Sequence, residues 1–225
     1  MGKDLIDFNI DISGLKFQNP VVVLSGCMEY DEELDYLMPL NQLAAFITKT
    51  ITLDERAGNP MPRTCEVTSG LINSIGLQNK GLYYYLREVL PVLKNKIDLP
   101  IVTSIAGFTI KEYASIASLL DKEENISAIE ANISCPNLEK GVDGNSIFAQ
   151  DEYMSYGVVK AIKESTSKPV IVKISPEVTD IRAIAQAVVD AGCDAVTVAN
   201  TYPAMAVDIK TRKSKLGSVS GGLSG

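Results

Sequence analysis

Ile129-Glu130-Ala131-Asn132-Ile133-Ser134-Cys135-Pro136-Asn137 joins a strand-like run to a thiol set between two amides, in a chain of 225 residues that has no histidine. Its first five residues read as a buried parallel strand. Similar runs recur at Val21-Val22-Val23-Leu24, Ala45-Phe46-Ile47-Thr48, Ile101-Val102-Thr103-Ser104-Ile105, Val170-Ile171-Val172-Lys173-Ile174 and Ala195-Val196-Thr197-Val198-Ala199. Between them lie stripes at three- and four-residue spacing: Leu82, Leu86, Val89 and Leu93; Tyr113, Ile116, Ala117 and Leu120; Ile181, Ile184, Ala185 and Val188. That spacing is the helix period. Strand followed by helix, repeated with short connections, predicts a parallel α/β architecture. The polar residues Lys49, Asn132, Cys135, Lys173 and Asn200 fall at the strand ends, where a (β/α)8 barrel of the TIM type keeps its chemistry.

An open doubly wound sheet is the rival. It would favour a glycine-rich dinucleotide turn after the first strand, and Ser25-Gly26-Cys27-Met28 begins no such fingerprint. The runs number six, so about six βα units of a barrel are expected, in one domain over residues 1–225 that looks C-terminally incomplete. Ahead of them Ile6, Phe8, Ile10 and Ile12 alternate, the chain turns at Ser13-Gly14, and Leu15 and Phe17 follow. This is a half-buried β-hairpin capping one end of the domain.

Composition narrows the function. With 46% apolar and 22% charged residues the chain can build a substantial core, and its net charge of −7 disfavours nucleic acid and anionic membranes. No window approaches the length of a bilayer-spanning helix and the first residues lack an apolar leader core, so a cytoplasmic location is expected. The cysteines at 27, 65, 135 and 193 are too scattered for the close pairs of metal or iron-sulfur sites. No metal is expected, and Cys27, Cys65 and Cys193 read as packing or loop residues.

Without histidine, the nearest substitute for an imidazole base is a cysteine whose pKa falls below roughly 8.5. Asparagine offers donors and an acceptor without charge, which suits a planar ligand rich in carbonyl and NH groups. Cys135 therefore reads either as a reactive thiol in a hydrogen-bonding cradle or as a small apolar residue at a strand end. Lys49 is either a long cation reaching a ligand or a solvated strand-end lysine. Lys173 sits inside an apolar run, so it needs a ligand or a carboxylate. Residues Ile51 to Lys80 form a long segment rich in Gly, Pro, Asn and Ser, and Leu138 to Gln150 a polar loop suited to a lid. The closing Ser218-Val219-Ser220-Gly221-Gly222-Leu223-Ser224-Gly225 has the composition of a flexible tail.

Asn132-Ile133-Ser134-Cys135-Pro136-Asn137 also resembles the active-site loop of class 1 dihydroorotate dehydrogenases. Matching segments run in order along the chain: Ile47-Thr48-Lys49-Thr50, Ile72-Asn73-Ser74-Ile75-Gly76-Leu77-Gln78-Asn79, Val172-Lys173-Ile174-Ser175-Pro176, Asn200-Thr201 and Gly221-Gly222-Leu223-Ser224-Gly225. The resemblance implies FMN-dependent oxidation of dihydroorotate to orotate in pyrimidine biosynthesis. In it Cys135 removes the C5 proton while a hydride passes from C6 to flavin N5, and Lys49 assists. It implies substrate contacts from Lys49, Asn73, Ile75, Gly76, Leu77, Asn132, Asn137, Asn200 and Thr201. Cofactor contacts are implied for Ser25, Gly26, Lys49, Thr50, Ser104, Asn132, Lys173, Val198 and Gly225. Ser104 departs from the pattern, where an asparagine is more usual, and its reach is shorter. Ile75, Gln78 and the final Gly-Gly-Leu-Ser-Gly resemble class 1B, which implies a homodimer paired with a subunit carrying FAD and an iron-sulfur cluster. Two alternatives stand beside it: a dihydropyrimidine dehydrogenase-like flavoenzyme, whose similar loop usually has histidine at the position of Asn137, and a truncated chain unable to hold FMN.

Overall fold

The six β-branched runs form one parallel sheet: β3 (Val22–Val23), β4 (Ala45–Ile47), β7 (Ile101–Ile105), β8 (Ala128–Asn132), β9 (Val170–Lys173) and β10 (Ala195–Thr197). The computed structural model describes residues 7–28, 42–134 and 147–225. In it these strands lie side by side in their order along the chain, without the reversal that defines a doubly wound sheet. This progression is that of part of a (β/α) barrel. Among the described residues neither β3 nor β10 pairs with a further strand, so the sheet is open.

Helices fill the crossovers: α1, with segments Leu82–Tyr84 and Leu90–Lys96 on either side of a π-helical stretch Tyr85–Val89; α2 (Ile110–Leu120); α3 (Glu152–Lys163); and α4 (Ile181–Asp190). The last three begin at a side-chain cap. Thr109 accepts from the Glu112 N–H, Asp151 from that of Met154 and Asp180 from that of Arg182, each satisfying a donor that the first turn leaves open. Two Gly-Pro-Asn-Ser-rich stretches prove to be strands. β5 (Thr64–Val67) and β6 (Gly70–Asn73) make a hairpin inside the expected long loop, and the expected tail supplies β14 (Gly221–Ser224). β14 pairs with both β6 and β11 (Tyr202–Ala204) in a second, antiparallel sheet, and between β11 and β14 the chain forms a short hairpin of β12 (Val207–Asp208) and β13 (Lys213–Ser214).

Strand alternation divides the parallel sheet into two faces. On the outer face Phe46, Ile101, Ile105, Ile129, Ala131, Val170 and Val172 pack against helix residues such as Leu93, Ile116, Ile162 and Val188. Tyr85 from α1 is buried in that layer, and its hydroxyl meets Thr103 Oγ1 at 2.8 Å. Burial pushes its ionisation well above the ordinary tyrosine range. On the inner face Ala45, Ile47, Val102, Ala128 and Ile171 contact Leu15 and Phe17. Those two belong to β2 (Leu15–Phe17), which pairs with β1 (Ile10–Ile12) in the expected hairpin. The hairpin thus covers the inner face where it is apolar.

Candidate active site

Two residues further along each inner-face row the side chains turn polar. Val102 is followed by Ser104, Ala128 by Glu130 and then Asn132, Ile171 by Lys173, and Ala195 by Thr197. A period of two keeps all of them on one face. Ser104 and Glu130 are wholly buried, and Lys173 is 8% exposed. Ser104 Oγ donates to Glu130 Oε1 at 2.9 Å, Thr197 Oγ1 donates to Oε2 at 3.4 Å, and Lys173 Nζ lies 3.6 Å from Oε1. The carboxylate that Lys173 requires is Glu130.

The network continues from β7 towards β3. Thr50 Oγ1 and Ser104 Oγ are 3.0 Å apart, Ser25 Oγ and Thr50 Oγ1 3.1 Å, and Asn132 Nδ2 donates to Thr50 Oγ1 at 3.4 Å. Gly26 stands beside Lys49, where an added Cβ would be 4.0 Å from Lys49 Cδ. Asn132 is fixed from outside, since the buried Tyr113 hydroxyl donates to its carbonyl at 2.7 Å. The structure therefore brings Ser25, Gly26, Lys49, Thr50, Ser104, Asn132 and Lys173 together.

A second group lies between the two sheets. A cavity of about 280 Å³ is lined by Ser134, Ser175, Asn200, Thr201, Gly221 and Gly222. The Asn200 N–H donates to the Ile174 carbonyl at 2.9 Å, which fixes Asn200 just beyond the end of β9. Asn73 Nδ2 donates to the Gly222 carbonyl at 3.3 Å. A Cβ on Gly222 would collide with Thr201 Oγ1, and one on Gly221 with the Asn73 carbonyl. The double glycine is what lets β14 pass between Asn73 and Thr201. Among the described residues Ser134 Oγ, buried on this cavity, has no hydrogen-bond partner.

The Ile75-Gly76-Leu77 segment is held on both sides. Asn59 N–H donates to the Ile75 carbonyl at 3.0 Å, and Asn79 Nδ2 donates to the Leu77 carbonyl at 2.8 Å. Gly76 and Leu77 both have left-handed backbone, φ 73° and 56°, which is strained for leucine. A Cβ on Gly76 would come 2.6 Å from Asn59 Cγ. Lys49 also borders a larger cavity, about 720 Å³, that it shares with Arg56, Gln78, Asn79 and Tyr84.

Two expected cofactor residues stand apart from this cluster. Val198 is 71% exposed beyond the end of β10. Gly225 lies against Ser69 and Gly70, at the opposite end of β14 from Asn73 and Thr201. Cys135 and Asn137 lie outside the described residues, as does the lid segment up to residue 146. Near its end Phe148 and Ala149 are buried, and Phe148 packs edge-on against Tyr113, ring centroids 5.7 Å apart. Cys193 is partly buried, and its burial, with the charge of Asp194, pushes its thiol up and away from reactivity. Sequence reasoning missed Glu130, Thr197 and Ser134 as site residues; their signal was position, since Glu130 is two residues from Asn132 and shares its face.

A partial barrel with polar side chains gathered at its strand ends defines a class of protein, the (β/α)-barrel proteins that keep their chemistry at that end. The comparisons narrow it. The sequence model of the family described as dihydroorotate dehydrogenase matches residues 8–225. "Dihydroorotate dehydrogenase B (NAD(+)), catalytic subunit" of Endomicrobium trichonymphae is 47% identical over 219 residues, covering 97% of this chain and 70% of that protein. Its namesake from Desulforudis audaxviator is 45% identical over 216 residues, covering 96% and 69%. A crystal structure of DHODH from Eimeria tenella in complex with ferulenol superposes with a TM-score of 0.68 at 23% identity, over 97% of this chain and 65% of that one. This chain belongs to the dihydroorotate dehydrogenase family. Among the described residues no helix is long and apolar enough to cross a membrane.

Proposed function

We propose that this chain binds FMN at the C-terminal ends of its parallel strands and oxidises dihydroorotate to orotate. The observation that carries the reading is the inward polar layer of Thr50, Ser104, Asn132 and Lys173, which ends three residues before Cys135. Its donor set fits the group: hydroxyls, one amide and one cation suit the carbonyl and NH edge of an isoalloxazine ring. Among the described residues the buried Ser134 hydroxyl has no hydrogen-bond partner, as befits a group that meets a ligand atom. When bound, FMN supplies the acceptor for the hydride leaving C6.

The chain's own residues do the rest. Cys135, as thiolate, takes the C5 proton, so that loss of a proton and a hydride leaves the C5–C6 double bond of orotate. Lys49 and Asn73 hold the substrate carboxylate. Asn132, Asn137, Asn200, Thr201 and the main chain of Ile75, Gly76 and Leu77 orient the ring, and Lys173 offsets negative charge by preorganised electrostatics. The names of the relatives, catalytic subunits of dihydroorotate dehydrogenase B (NAD(+)), support a class 1B catalytic chain working with a partner subunit, to which the class resemblance assigns FAD and an iron-sulfur cluster. On this reading NAD reduction needs that partner, and the catalytic chain is a homodimer.

Reconstitution with FMN followed by anaerobic mixing with dihydroorotate tests the proposal. The chain should turn yellow, and Cys135→Ala should slow flavin reduction by about 10²-fold or more. A colourless chain that takes up no FMN overturns the reading, and an undiminished rate removes Cys135 from the mechanism. Preference for dihydrouracil would point to the dihydropyrimidine dehydrogenase-like alternative.

A further inference from the structure

Glu130 is the most deeply buried charge in the inner layer, wholly inaccessible at the middle of β8. Its partners come from three other strands: Ser104 on β7, Lys173 on β9 and Thr197 beside it on β10. A carboxylate in such a place is tolerated only when paired and hydrogen-bonded. The hydroxyls supply the hydrogen bonds and the lysine supplies the charge.

The spacing of that ion pair is informative. At 3.6 Å, Lys173 Nζ lies beyond the roughly 2.7–2.9 Å of a charge-assisted hydrogen bond. Glu130 therefore offsets the ammonium charge without taking a charge-assisted hydrogen bond from it, and among the described residues its three donors stay available to a ligand. Asn132, two residues on from Glu130 along the same face, stands on the side of the strand ends. The carboxylate sits behind the lysine, away from the mouth.

We propose that Glu130 is a positioning residue acting through Lys173: it holds the ammonium at the floor of the site and cancels most of its charge, limiting how strongly the site favours reduced over oxidised flavin. The inference rests on the FMN reading above. Reduced flavin carries more negative charge than oxidised flavin, so an uncompensated lysine would bind it too tightly and retard its reoxidation. A buried pair keeps the lysine's donors while restraining its field, which is strong where water is excluded.

Two measurements test this. In the flavin-free chain, urea unfolding of Glu130→Gln, Lys173→Met and the double variant forms a cycle. Each single variant should lower the midpoint, because it leaves one buried charge alone, and the double variant should recover most of the loss. Additive losses overturn the pairing whether or not FMN binds. In the FMN-loaded chain, Glu130→Gln should raise the ratio of reduced to oxidised flavin affinity at least tenfold, a positive shift of about 30 mV for a two-electron couple. It should slow flavin reoxidation relative to flavin reduction by dihydroorotate. Glu130→Asp, which keeps the charge, should remain within about twofold of the parent ratio. An unchanged or more negative potential in Glu130→Gln overturns the proposal, since a merely structural glutamate would alter the unfolding midpoint alone. If Glu130→Gln does not fold while Glu130→Gln/Lys173→Met does, the pairing stands and the double variant carries the potential measurement. Its ratio should then match that of Lys173→Met, and a further tenfold rise above it overturns action through the lysine. A parent chain that takes up no FMN sinks the functional reading and leaves the unfolding cycle to decide the pair.

Discussion

Gly222 shows how one missing Cβ shapes the site. Its backbone passes so close to Thr201 that any side chain would strike the Thr201 hydroxyl, while its carbonyl accepts from Asn73. Gly222→Ala must therefore displace Thr201, bend β14 or both. Overpacking of this kind costs about 1–3 kcal/mol, read as a lower urea midpoint. Orotate affinity should fall with it, and unaltered affinity would mean that Thr201 does not contact the ligand. At this scale the sequence was legible where chemistry is unusual for its setting. Lys173 in an apolar run called for a ligand or a carboxylate, and Glu130 is a carboxylate beside it. The same reasoning applied to Glu130 would have found the pair from the other side, but one acidic residue in a strand gives no hint of which face it takes until its neighbours' parity is known. The role of Gly222 was not legible, because it depends on Thr201 lying next to a residue 21 positions further along the chain.

Among the elements, the start of β10 is tied to its neighbours by one carboxylate. Asp194 accepts from Lys163 Nζ at 2.7 Å, at the end of α3, and from the Val170 N–H at 2.8 Å, at the start of β9. Burial alone would raise its pKa, but the hydrogen bonds from Lys163 and Val170 and the lysine charge outweigh it and hold the carboxyl below its ordinary 3.8. A depressed folded pKa contributes stability that is present above the unfolded value and lost as pH falls through the folded one. The thermal midpoint of the parent chain should therefore exceed that of Asp194→Asn at about pH 6, and the gap should close below about pH 4. A gap independent of pH would show that the loss in Asp194→Asn comes from altered geometry and not from the ionised carboxylate. The six parallel strands were legible because β-branched runs between helical stripes leave little else to form. The second sheet was not. β5 and β6 lie in a stretch with turn composition, and β14 is half glycine. Only pairing with partners distant in sequence makes strands of them, and propensity carries no record of that.

For the whole molecule, the consequence of an open sheet is a gradient of stability from centre to edge. Every residue of β7, β8 and β9 is buried, and β7 and β8 lie between strands on both sides. β3 and β10 are only half-buried, and the chain beside them exposes Val21 at 56%, Leu24 at 46% and Val198 at 71%. Local opening follows burial and hydrogen-bonding density, so amide exchange in the isolated chain should be slowest in β7 and β8 and fastest in β3 and β10. Mass spectrometry of peptides covering each strand reads this directly. The site straddles the gradient, since Glu130, Ser104 and Asn132 are on the protected strands while Thr197 is on β10 and Ser25 follows β3. Ligand binding should then protect β10 and β3 most, because a ligand that recognises only the ordered edges pulls the opening equilibrium towards them by mass action. Equal protection of β10 and β8 without ligand would mean that the outer edge of β10 is covered in solution, and the exposure of Val198 would then mark a surface where another segment or another chain docks.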